Sequence, residues 1–516
     1  MRIEYTAMPE WPPLAWLACC RSGEATIAVR HGPRVEVTPE WFAEAVWADE
    51  YAAAGFDRTD LVFGSGGRTR NGTVIFVSSG TAVDRLQTAT RAGESWVSNS
   101  LPCLLAAVEG VPDPMFTGYY ALFKSIIRGT NRYQREISTS AGPVRLVYFA
   151  NLEWNGAVLR EVEKAVPTRD FSSFEKYRAF LQSTLRRLHE NLSAVERRFP
   201  YRWLATISSG YDGLATAVLV KPHGLSEAIS LIEARGGESD SGETPAAMLG
   251  ISVSLIARDA WRQASRPEVP FIAADAKGED VFLQGADAQL GGRALLTGHY
   301  GIAWDKNVEG LSGAFERKDQ AGLSLTEYRL WAGFLHCPIP FFGARQVRDL
   351  VALSHAPEMD PWDVGGSYNR PIPRRIIETA GIPRGSFATR KRAGSVLLFH
   401  RDSFLCPSSL EDFLRWLGDQ GDEWRKRGKV PPVPIAGRRT WRQWAAGVGA
   451  GGIQVLARAA GHRLRFLDAA GRRLALVANR EPLFRYLFPW AMARAKERYS
   501  DVVTRARAAR AREPGS

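Results

Sequence analysis

The reading of this chain turns on Trp203-Leu-Ala-Thr-Ile207, then Ser208-Ser209-Gly210-Tyr211-Asp212-Gly213, then Leu214-Ala-Thr-Ala-Val-Leu-Val220. The first run is apolar, the second is a turn of small residues, and the third is helix-forming with an aspartate just ahead of it. N–H groups at a helix start lack intrahelical partners, and the helix dipole favours an anion there. A Ser/Gly turn lets a phosphate approach that backbone and adds hydroxyl donors. An aspartate beside bound phosphates suits Mg²⁺, a hard cation that takes oxygen ligands. The plainer alternative is a solvated strand-to-helix turn.

The flanks extend the pattern. Ser172 and Glu175 have capping-box spacing, and Phe174, Tyr177, Leu181, Leu185, Leu188, Leu192 and Val195 recur every three or four residues. This spacing predicts a helix over 172–198, closed by Pro200. Residues 228–232 predict a second strand, beside which an adenine would stack. Glu243 opens an expected helix over 244–255, with proline in its first turn. Residues 293–305 read as a strand running into a Gly-rich turn. Such α/β alternation implies a doubly wound parallel sheet that takes ligands at the carboxyl ends of its strands.

The central turn resembles the pyrophosphate loop, S-G-G-x-D-S after a strand, of the ATP pyrophosphatases typified by asparagine synthetase. Ser208, Gly210 and Asp212 match it, whereas Ser209 replaces a glycine and Gly213 replaces the last serine. Thr297 and Gly298 are similar to the start of that family's second phosphate loop, S-G-x-G-x-D-E. Ile302 and Ala303 then stand where acids are expected, and Asp305 lies a few residues late. Residues 370–377, Ile382-Pro383 and 389–394 resemble the family's K-x-P-L-R helix, its l-P step and its basic R-x-K-x-G hairpin, which puts Lys391 at the hairpin lysine with Arg390 and Arg392 beside it.

The N-terminal region, 1–165, is rich in β-branched and aromatic runs at 14–20, 25–30, 73–78 and 144–149. Asp84-Arg-Leu86, the 96–105 stretch with Ser98-Asn-Ser100 as a helix cap, and 117–128 resemble, in order, the glutaminase domain of the same family. That family's nucleophile is a cysteine directly after the initiator methionine; here position 2 is Arg2, and Cys19 and Cys20 sit in an apolar strand where a thiol is buried and inert. The fold expected is therefore α/β: an Ntn-hydrolase-like β-rich sandwich (1–165) without a glutaminase nucleophile. It is followed by a doubly wound, adenine nucleotide alpha hydrolase-like ATP pyrophosphatase domain (170–407). A linker and basic extension (408–516) complete the chain, with short strands at 453–456, 463–467 and 473–477 and a solvated helix after Pro489.

By this resemblance, Ile207, Ser208, Ser209, Gly210, Tyr211, Asp212 and Gly213, with Thr297, Gly298 and His299, bind ATP. Asp212 and Asp305 hold Mg²⁺, and Lys391 and Asp212 serve catalysis. Tyr328 with Glu327 is a candidate phenol–carboxylate pair for an incoming amine. The implied reaction is adenylation of a carboxylate followed by transfer to an amine or ammonia. A catalytically inactive nucleotide-binding or scaffold protein of a biosynthetic cluster is the competing reading.

Composition narrows the rest. The 516 residues carry a net charge of +12 and five cysteines, with neither a C-x-x-C pair nor a His/Cys cluster, so a zinc site is not expected. No basic–aromatic module argues for nucleic acid. No apolar run reaches the ~18–20 residues of a membrane span, and Met1-Arg-Ile-Glu-Tyr is not a signal peptide. The expectation is a cytoplasmic chain whose partners are ATP and small acid and amine substrates, with a homodimer left open.

Overall fold

The computed structural model describes residues 1–264, 267–308, 311, 313–366, 368–387, 392–396, 398, 405–428, 441–460, 464–478 and 481–499. The N-terminal region pairs two sheets. Seven strands lie in the order Arg2–Ala7, Thr26–His31, Trp16–Arg21, Glu94–Ser98, Leu86–Arg91, Gly142–Val147, Glu136–Thr139. Six lie in the order Leu159–Glu163, Ala150–Trp154, Thr73–Val77, Val62–Arg70, Trp41–Trp47, Glu36–Val37. Alternate residues of both sheets, among them Trp16, Ala18, Val29, Phe42, Phe76, Val97 and Trp154, close one apolar layer between them, the period of two that a sandwich requires. Ser100 caps the helix Leu101–Ala107 by accepting the Cys103 N–H. Cys20 is buried in this layer, and Cys19, on the other face of the same strand, is buried too, which pushes its thiol up to about 12.

A second unit follows. Helix α1 (Phe174–Leu192) buries Phe174, Tyr177, Leu181, Leu185, Leu188 and Leu192, as its period demands. Its cap is Ser173, not Ser172, and the helix ends before Val195, which is exposed. Strand β1 (Arg202–Thr206), helix α2 (Tyr211–Val220), then β2 (Glu227–Leu231), β3 (Ser252–Ile256), β4 (Arg293–Thr297) and β5 (Leu335–Pro338) follow. These five strands are all parallel, in the order β3-β2-β1-β4-β5. The order reverses between β1 and β4, where a doubly wound sheet opens its crevice.

Three expectations are corrected here. The helix expected over 244–255 stops at Met248, and the rest is β3; Gly250, at φ +61°, turns the chain out of the helix. The strands expected at 453–456 and 473–477, and residues 465–467 of the one expected at 463–467, lie instead in helices Trp441–Ala459 and Arg465–Ala478, which pack on each other; Arg463 lies outside the described residues. Their Ala- and Gly-rich sequence had disguised a helical period. The helix after Pro489 is Leu487–Lys496, and it is no frayed end. Leu487, Phe488, Trp490, Ala491 and Met492 are buried, Trp490 Nε1 donates to Asp412, and the helix packs on Val269–Asp275. No described helix is long and apolar enough to cross a membrane.

Candidate functional site

The site is built where β1 hands over to α2. Ile207 donates its N–H to the Ile229 carbonyl (2.9 Å), which extends the strand ladder by one residue. The chain then turns at Ser208-Ser209-Gly210, and Gly210 becomes the N-cap of α2 with no side-chain cap. The first N–H groups of the helix therefore stay available to an acceptor. One is partly taken: the Tyr211 N–H lies 3.4 Å from the Tyr368 hydroxyl. Tyr211 itself points away from the turn into the core, fully buried, beside Phe387 and with its hydroxyl bonded by Arg374.

Three glycines permit this packing. A Cβ on Gly213 would meet the Thr206 carbonyl oxygen at 2.4 Å, so the serine of the family loop has no room here. A Cβ on Gly298 would meet the Asp212 Cβ at 2.3 Å, and one on Gly301 would meet the Asp212 carboxyl at 2.4 Å. The turn after β4 thus leans directly on the first turn of α2.

Between these turns lies a cavity of about 220 Å³. One wall is apolar: Ile229, Leu231, Ile256, Phe282 and Leu283. The other is polar, with Ser208, Asp212, Asp240, Thr297, His299 and Arg392. Ser209 Oγ accepts from Arg392 Nη1 (2.8 Å) and donates to Asp240 Oδ1 (2.7 Å). Burial raises the Asp240 carboxyl against the opposing pull of Ser209 and Arg392. Burial also pushes the His299 imidazole down to about 4, so this ring is neutral, and its Nδ1 has no partner. A neutral, half-buried donor–acceptor suits an uncharged edge of a ligand.

The segment carrying Arg392 is clamped along the mouth. Arg235 donates its backbone N–H to the Ala393 carbonyl (2.9 Å), and Arg258 donates to the carbonyls of Gly394 (3.1 Å) and Ser395 (3.2 Å). Lys391, the hairpin lysine, lies outside the described residues, as do Thr389 and Arg390.

The two expected metal ligands are brought together around a third residue. Arg370, just ahead of helix α3 (Pro371–Thr379), is bonded through Nη1 to Asp212 Oδ2 and lies with Nε 3.4 Å from Asp305 Oδ2. Burial alone would lower the guanidinium pKa, but Asp212 and Asp305 more than offset this, and it stays above its ordinary value. As placed, these carboxylates grip a guanidinium and do not present the open oxygen cluster that magnesium takes. Among the described residues no group of three His, Cys, Asp or Glu side chains converges as a metal site.

Tyr328 and Glu327 form no pair. Tyr328 donates to Asp287 (2.8 Å), while Glu327 accepts from Ser100 (3.1 Å), Trp331 (2.9 Å) and Tyr499 (3.0 Å), all in the interior. They point in different directions because successive helical residues are about 100° apart. Sequence reasoning missed Arg370 and Asp240. Asp240 had a signal, the Ser239-Asp240-Ser241 loop after a strand's carboxyl end; Arg370, read only as the start of a stretch resembling the family's K-x-P-L-R helix, had none. Comparison of the sequence with protein-family models and with curated proteins returned no match.

Proposed function

We propose that the cavity holds the adenosine of ATP and that the chain is an ATP-dependent amide-forming enzyme of the asparagine synthetase-like kind. The observation that carries this is the two-sided cavity at the strand-order reversal: an apolar slot beside β2 and β3 for a flat base, and a donor-rich end at the start of α2 for phosphates. Its volume, about 220 Å³, is small for a whole nucleotide, so the phosphates lead outward past Ser208, Ser209 and Arg392. The N-terminal double sheet is then a glutaminase-like layer without its nucleophile, since Arg2 starts the first strand and both nearby thiols are buried.

In the reaction, a substrate carboxylate oxygen attacks the α-phosphorus, and the bond to the β-phosphate oxygen breaks as pyrophosphate leaves. An amine nitrogen then attacks the acyl carbon, AMP departs and the amine proton passes to solvent. The protein supplies positioning through the α2 backbone and positive charge from Arg392 near the departing pyrophosphate. One observation favours the nucleotide-binding protein without chemistry: the Tyr368 hydroxyl already lies against the Tyr211 N–H.

Calorimetric titration with ATP and GTP is the test. Saturable binding with adenine preferred is expected, and Leu231→Arg, placed in the base slot, should abolish it. Absence of saturable binding overturns the reading. Equimolar AMP and pyrophosphate release with an acid and an amine then separates enzyme from inert binder.

A further inference from the structure

The pair expected to hold magnesium is already bridged by a cation of the chain itself. We propose that Arg370 is a built-in replacement for the metal at this site, so that nucleotide phosphate is bound without a divalent ion between Asp212 and Asp305. This rests on the nucleotide reading given above.

Three features carry it. First, Arg370 spans both carboxylates, through Nη1 to Asp212 and Nε to Asp305, the same two acids the sequence nominates as ligands. Second, the arrangement is packed into place. The face of Tyr368 lies 5.6 Å from the guanidinium carbon, and Gly301 lacks a Cβ where one would sit 2.5 Å from Arg370 Nη1 and 2.4 Å from the Asp212 carboxyl. A Cβ at 301 would force one of these two side chains to shift. Third, donors are left over. A guanidinium has five N–H bonds, and Arg370 Nη2 has no hydrogen-bond partner among the described residues, while Asp212 forms part of the cavity wall. An arginine grips phosphate oxygens in a planar fork, the geometry that suits a polyphosphate. Asp212 Oδ1 is likewise without a partner, and it is free to accept from a ligand hydroxyl or water.

The difference from a metal is electrical as well as geometric. Magnesium would neutralise both carboxylates, whereas one guanidinium leaves the trio with a single negative charge. The α2 N–H groups and Arg392 must therefore supply the remaining attraction, and the phosphates are held by donors rather than by metal coordination.

The experiment is ATP binding by full-length protein, measured by calorimetry in EDTA and in excess Mg²⁺. Wild type is expected to bind in both, with Kd values within about threefold. Arg370→Ala should bind at least about tenfold more weakly in EDTA and recover with Mg²⁺, because the freed carboxylates accept the ion. Mn²⁺ titration followed by electron paramagnetic resonance gives an independent readout: no tight site in wild type, one in Arg370→Ala. If Arg370→Ala does not fold, as judged by circular dichroism, Arg370→Lys keeps the charge without the fork and should show the same metal rescue more weakly. Wild-type binding that needs Mg²⁺ overturns the inference and leaves the nucleotide reading standing. No ATP binding in either buffer overturns both.

Discussion

Arg329 and Arg370 each bridge two carboxylates, and their surroundings differ. Arg329, on the helix Leu325–Ala332, lies 2.6 Å from Glu44 of the N-terminal sheet and 3.0 Å from Asp84. Its side chain is 1% exposed, and those of Glu44 and Asp84 are 0% and 4% exposed. Glu44 also accepts from Ser65 and Asn99, and burial still raises its carboxyl despite Arg329. Arg370 makes the same kind of bridge, but Asp212 and Asp305 are 22% and 15% exposed, and Asp212 lines a cavity. The chemistry is alike; access to a ligand is not. A sealed ion cluster fixes how two units meet, whereas one with spare donors beside a cavity can trade partners.

The comparison breaks or sharpens under four changes, taken from the largest effect downward. Arg329→Met leaves two buried carboxylates unpaired, and urea unfolding should show a loss of about 3–5 kcal/mol; a loss below about 1 kcal/mol would erase the distinction. Gly298→Ala drives a methyl into Asp212, so stability should fall by about 1–3 kcal/mol and calorimetry should find ATP binding gone. Arg370→Ala should cost less than that, about 1 kcal/mol in the same unfolding experiment, because water reaches the stranded carboxylates. The smallest effect concerns pH. His299 has a folded pKa of about 4 against an unfolded value of about 6.5, so the unfolded chain binds the extra proton in between. Its contribution to stability is complete above about pH 6.5 and is lost as pH falls toward 4. Thermal melts of wild type and His299→Gln should diverge over this interval, wild type losing ground by less than about 1.4 kcal/mol per pH unit. Parallel melting curves would deny His299 its buried, neutral state.

The legible parts of the chain were those written in local pattern. The apolar face of α1, the run from Trp203 into a Ser/Gly turn, and the capping Ser100 all announce themselves within a few residues. The strand Val62–Arg70 did not. Its Gly-Ser-Gly-Gly centre reads as a loop, yet a Cβ at Gly66 would strike the Phe42 carbonyl oxygen at 2.3 Å, so these glycines serve close strand packing. The site was legible where one loop supplies it and opaque where distant segments meet. Arg370 reaches Asp212 across 158 positions and Asp305 across 65. Spacing along a sequence carries no trace of such a bridge, because only the completed packing of α3 on α2 creates it.

The Tyr499 hydroxyl closes a buried triangle with Glu327 and Ser100, at 3.0 and 3.1 Å, joining points 172 and 399 residues apart. On the ribosome, the Glu327 carboxyl waits for that phenol until residue 499 has been synthesised. The trench that Leu487–Lys496 will fill is apolar and open to chaperones in the meantime. A ribosome stalled before residue 487 therefore carries a nascent chain in which this seam cannot shut.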